Sequence, residues 1–186
     1  MAKVSVDPTE FHFVLFDAAT IQQLVSEVAD VVGLPADTEI QVKIDEATPL
    51  GRSHVDSLDP IVLSVEGGAF ENAKAPRQLS DKSVRDVTSR LLFRVADRLS
   101  GRYDDAPADG EVPIPANVAW DVHAVGRAAR AGIDVSKSRR LYHFRNRHGF
   151  NDVADAAFEK LWSADEMSWS EIEALVADVA AAKTPV

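Results

Sequence analysis

The chain has 186 residues, 46% apolar and 27% charged, with no cysteine and a formal net charge of −10 at neutral pH. That length suits one domain, or one domain with a lobe, and is enough to bury a core. The composition excludes wholesale disorder, and the lack of cysteine removes disulfides, thiolate metal sites and cysteine nucleophiles together.

The N-terminal stretch Met1–Pro8 carries a cation but no apolar h-region. No run of eighteen apolar residues follows, so a cytoplasmic protein without a membrane span is expected. Phe11–Phe16 is aromatic and apolar at both parities, which predicts a first strand covered on both faces, with His12 packed inside it. Asp17 is a good N-cap for a helix over 18–32, where Ile21, Leu24, Val25, Val28 and Val32 make one apolar stripe. Gly33 then supplies the C′ residue and Pro35 prevents continuation.

Glu39–Asp45 alternates, with Ile40, Val42 and Ile44 on one face, and Ile61–Glu66 reads as a further strand entered through Asp59-Pro60. Residues 48–56 read either as a loop or as a short edge strand, with His54 exposed. A β-α-β-β order implies a small mixed sheet. Beyond a loop through 72–77, Ser80 caps a helix over 81–99 that turns Val84, Val87, Leu91, Val95 and Leu99 to the core. Arg94 and Arg98 lie at the edge of that face and need carboxylate partners.

Residues 103–115 are rich in Pro, Asp and Gly and read as a hinge or lobe boundary between 1–102 and 113–186 within a single domain. Helices are expected near 116–131, 152–162 and 169–182, the second capped by Asn151 and the third by a Ser168…Glu171 capping box. The Ala-rich end reads as a helix followed by a short loose tail. The fold class is therefore α+β, with a small N-terminal β-α-β-β mixed sheet packed against a mainly helical C-terminal half. Trp120, Trp162 and Trp169 are expected to pack those helices, or to anchor a partner.

One segment stands apart in charge. From Arg127 to His148 seven cations (Arg127, Arg130, Lys137, Arg139, Arg140, Arg145 and Arg147) accompany one acid, Asp134. Aromatics and histidines are interleaved with them: Tyr142, His143, Phe144, His148 and Phe150. As a helix, the segment stacks Arg139, His143 and Arg147 in one stripe; extended, it puts Arg139, His143, Arg145 and Arg147 on one face. Either geometry gathers guanidinium forks suited to phosphate or carboxylate.

Arg139, Arg140, His143, Arg145, Arg147 and His148 are the ligand-binding candidates. The expected partner is a small anionic ligand or an acidic protein surface, and the acidic chain argues against long nucleic acid. The plain structural alternative is that these arginines neutralise the protein's own acids, or form an interface between copies of the chain.

Catalytic signatures are missing. There is no HExxH or His-x-His pair, no GxSxG elbow, and neither Walker lysine nor GxGxxG spacing beside Gly67-Gly68. No cofactor is indicated. A rival enzyme reading is a metal-assisted hydrolase. It would combine His123, His143 or His148, with Asp121 and Asp152 close in sequence, and carboxylates of the sheet rim. Those rim acids, Asp45, Glu46, Asp56, Asp59, Glu66 and Glu71, could form an acid/base pair or a divalent-ion site, or simply a solvated edge.

Overall fold

Alternating apolar and polar residues build the first half of the chain into a sheet. The computed structural model describes residues 1–182, and the tail expected after the last helix lies outside the described residues. Strands β1 (Lys3–Asp7), β2 (Glu39–Asp45), β3 (Ser53–Leu58) and β4 (Ile61–Glu66) form one sheet in the order β1-β2-β4-β3. The pairs β1–β2 and β2–β4 are parallel, and β3 joins β4 antiparallel at the edge. The register sets Val6, Val42, Leu63 and Val55 in one row, and all four are buried. Burying each such aliphatic side chain contributes about 1.5–3 kcal/mol.

Helix α1 (Ala18–Val32) forms the crossover between β1 and β2 and buries Ile21, Leu24, Val25 and Val28. Its ends are those expected: the Asp17 carboxylate accepts from Thr20 N at 2.6 Å, and Gly33 takes φ +85°. The opposite face of the sheet is polar, with Lys3, Ser5, Asp7, Glu39, Lys43 and Asp45 exposed. Parallel sheets are usually covered on both sides. This one is not.

Phe11–Phe16 is a correction: it is a loop, not a strand. The Glu46 carboxylate accepts from the amides of His12 and Phe13 at 2.8 and 2.7 Å, and only Leu15 makes a lone bridge, to Gln78. Phe13 and Leu15 stand 61% and 75% exposed, and His12 is exposed as well. The first strand lies upstream, where Lys3-Val-Ser-Val-Asp7 alternates as a half-covered strand should. Residues 53–58 take the edge-strand alternative. A small hairpin, β5 (Glu71–Asn72) with β6 (Ala75–Leu79), fills what sequence alone showed as a loop.

Helix α2 (Asp81–Leu99) follows, with Ser80 Oγ accepting from Ser83 N at 3.2 Å. Val84, Leu91 and Val95 are buried as expected, but Leu99 is 56% exposed, because the helix ends there in a turn. Arg98 is partly buried and reaches the Pro107 carbonyl at 2.5 Å and Asp109 at 3.5 Å. Arg94 is buried.

The chain divides into two units, Met1–Ala96 and the residues from Asp97 on. The second unit contains α3 (Ile114–Arg130), α4 (Lys137–His148), α5 (Asp152–Ser163) and α6 (Trp169–Ala181). Its core gathers Trp120, Phe144, Phe158, Leu161, Trp169 and Ile172, together with Tyr103 and Val112 from the Pro/Asp-rich stretch. Tyr103 stacks on Trp120 with centroids 4.7 Å apart. Such a pair adds about 0.5–1.5 kcal/mol beyond the area it buries. Trp120 and Trp169 are thus core residues, and Trp162 is half-buried. Where α3 passes α5, a Cβ at Gly126 would collide with the Trp162 backbone carbonyl, so glycine sets the approach of the two helices. Among the described residues no helix is long and apolar enough to cross a membrane.

Candidate functional site

The basic segment folds as helix, and α4 sorts its side chains by face. Ser136 Oγ accepts from Arg139 N at 3.3 Å to open the helix. At the other end Gly149 N donates to the Arg145 carbonyl at 2.8 Å. The inward face carries Phe144 and, one turn later, His148. Their rings stack at 4.1 Å, and Phe158 of α5 meets Phe144 edge-on at 5.8 Å. His148 is 3% exposed, with Nε2 3.0 Å from the Pro115 carbonyl. A carbonyl only accepts, so Nε2 is the protonated nitrogen in that bond.

Most of the cations have acids of their own unit. Arg127 Nη2 and Trp120 Nε1 both donate to Asp97 Oδ2, at 2.6 and 2.7 Å. Arg130 reaches the carbonyls of Trp162 and Ala164 at the end of α5, and Asp165 at 3.2 Å. Lys137 pairs with Glu159 at 2.8 Å, and Arg140 lies 3.6 Å from Asp121. Arg145 makes a two-pronged bond to Asp155, at 2.8 and 2.5 Å. That bond holds the Asp155 carboxyl below the usual carboxylate range and raises the guanidinium. Arg127, Arg130, Lys137, Arg140 and Arg145 therefore each have a carboxylate partner that sequence alone did not identify.

The outward face is solvent-exposed. Arg139, Tyr142, His143, Asn146 and Arg147 are exposed on α4, and Phe150 is exposed just beyond it. Tyr142 and Phe150 stand 59% and 65% exposed, 6.3 Å apart. Partial burial lowers the His143 pKa, the Arg140 and Arg139 charges add to that, and Asp121 opposes it. Of the six candidates, Arg139, His143 and Arg147 share the outward stripe. Arg140 and Arg145 lie beside it in ion pairs, and His148 faces the core.

The histidines of this unit are dispersed. His123 is fully buried with Nδ1 3.4 Å from the Leu161 carbonyl, and burial pushes its pKa down to about 4. Among the described residues no three His, Asp or Glu side chains stand where they could hold a metal ion.

The first unit has a cleft of its own, about 540 Å³ in volume, bordered by the carboxyl ends of β1, β2 and β4. Asp7, Lys43, Ser64 and His54 are register neighbours across all four strands, and all four line it. Asp56 joins two of them: Ser64 Oγ donates to its Oδ2, and His54 Nε2 lies 2.7 Å from its Oδ1. The carboxylate stands between hydroxyl and imidazole, so the histidine cannot take the serine proton, and this is no nucleophile–base pair. Two of the rim acids border the cleft, Asp45 and Glu66, while Glu46 is spent on the 12–13 loop. Sequence reasoning placed His54 at an exposed position but had no signal for the cross-strand row, which depends on register. Set beside known protein families, curated proteins and solved structures, the chain has no significant match to any of them.

Proposed function

We propose that this protein is a binding module whose α4 face docks an acidic protein surface. One observation supports the reading: Arg139, His143 and Arg147 form an exposed outward stripe on α4, with Tyr142 and Phe150 exposed beside it. Arg139 and Arg147 are two turns apart, about 12 Å along the axis, too far for a single phosphate or carboxylate to bridge. Acids repeated along a partner's helix or strand match that spacing. Exposed aromatics beside arginines supply the desolvated contact area typical of binding hot spots. A chain of net charge −10 repels a long phosphate backbone, which favours a protein partner with local acidic patches.

A labelled Glu-rich peptide is the probe. Binding is expected at low salt, weakened about tenfold or more in Arg139→Glu/Arg147→Glu, which corresponds to about 1.4 kcal/mol. His143 is faced by Arg139 and Arg140 from its own helix and by Asp121 from α3. Because its pKa is lowered, it is mainly neutral near pH 7 and gains charge on acidification. Affinity should therefore rise as the pH falls below about 6.5, and this rise should vanish in His143→Gln. Equal binding by the charge-reversed and native proteins would sink the reading.

A further inference from the structure

We propose that the cleft of the first unit binds a metabolite-sized anion: a carboxylate or phosphate group carried on a body with hydrogen-bond donors. It lies in a different unit from α4 and does not depend on that helix. The cleft has the volume of a small-molecule site and sits at the carboxyl ends of three parallel strands, where open α/β sheets commonly hold ligands.

Its charges are unevenly satisfied. The Asp45 carboxylate accepts from Thr48 Oγ1 at 2.5 Å and from Ala47 N at 3.2 Å, and Glu66 accepts from Arg52 N at 2.9 Å. Asp56, behind the row, holds Ser64 and His54. These acids serve turns and strands. The cations do not: among the described residues, neither Lys43 Nζ nor the Arg52 guanidinium has a carboxylate within ion-pairing reach, and both line the cleft. An ammonium and a guanidinium fork on one concave surface suit an anionic group.

Acceptors complete the site. His54 meets Asp56 through Nε2, which leaves Nδ1 as the ring's other polar atom, and Asp7 at the far end of the row offers a carboxylate. A ligand with hydroxyls or an amine beside its anionic group satisfies both ends. A bare ion satisfies only one.

The test titrates the full-length protein with ribose 5-phosphate, with citrate, and with ribose as the uncharged control, read by calorimetry. Saturable binding of ribose 5-phosphate or citrate is expected, but none of ribose. Whichever anion binds tells phosphate from carboxylate. Lys43→Ala/Arg52→Ala should weaken that binding about tenfold or more, whereas Arg139→Ala/Arg147→Ala should leave it unchanged. If the double variant loses its fold, Arg52→Gln carries the same comparison, since that side chain is exposed. The inference fails if neither anion binds, if the cleft variants bind as the native protein does, or if binding is lost in the α4 variant. None of these outcomes bears on peptide docking by α4, which is read with a different probe.

Discussion

His123 converts burial into a dependence on pH. Its ring is fully enclosed, its Nε2 has no hydrogen-bond partner among the described residues, and its pKa falls from 6.5 to about 4. The native state therefore refuses a proton that the unfolded chain accepts as pH drops below 6.5. Stability from this group is complete above that value and is lost progressively down to about pH 4. At pH 5 the loss amounts to about 2 kcal/mol. His123→Asn keeps an amide donor near the Leu161 carbonyl and removes the titration. Urea unfolding between pH 7 and pH 5 should then slope less steeply for the variant; identical slopes would place the acid sensitivity elsewhere. At this scale sequence reasoning found the right segment but could not sort its residues. The helical stripe of Arg139, His143 and Arg147 follows from spacing alone. That Arg140 and Arg145 are held does not, because Asp121 and Asp155 belong to other helices.

Helix ends were the most legible elements, because a cap is a local bond. Asp17, Ser80, Asn151 and Ser168 all cap where expected, the last with Glu171 in a reciprocal pair. Strands were legible when they alternated, as in Glu39–Asp45. The error at Phe11–Phe16 came from taking apolarity at both parities as burial on both faces, when Glu46, more than thirty residues away, fixes that segment as a loop. Close approach between elements was not legible either, and Gly126 is the instance. On an isolated helix, Gly126→Ala would gain about 1 kcal/mol of intrinsic propensity. Here the added methyl meets the Trp162 carbonyl, and overpacking of that kind costs about 1–3 kcal/mol. The variant should therefore melt lower than the native protein. A higher melting temperature would mean that α5 can shift away from α3 at little cost.

Across the whole molecule, acids outnumber cations in both units, fifteen to nine up to Ala96 and fifteen to eleven beyond it. Like charges strain the folded chain, and salt relieves that strain. Raising NaCl from about 0.02 to 0.2 M should raise the melting temperature while weakening the docking of an acidic peptide on α4. The two responses have opposite signs, and parallel trends would argue against charge as the basis of docking.

The outer strand of the sheet carries a separate consequence. β3 leaves one side without a neighbouring strand in this sheet, the position from which proteins commonly aggregate by recruiting a strand from another copy. Its pairing slips between Val55 and Ser57, and that irregularity falls at Asp56, whose charge is held by His54 and Ser64. A kinked, charged border is a poor template for a second chain. The same carboxylate that orders the polar row would thus also keep concentrated solutions of the protein from growing into fibrils.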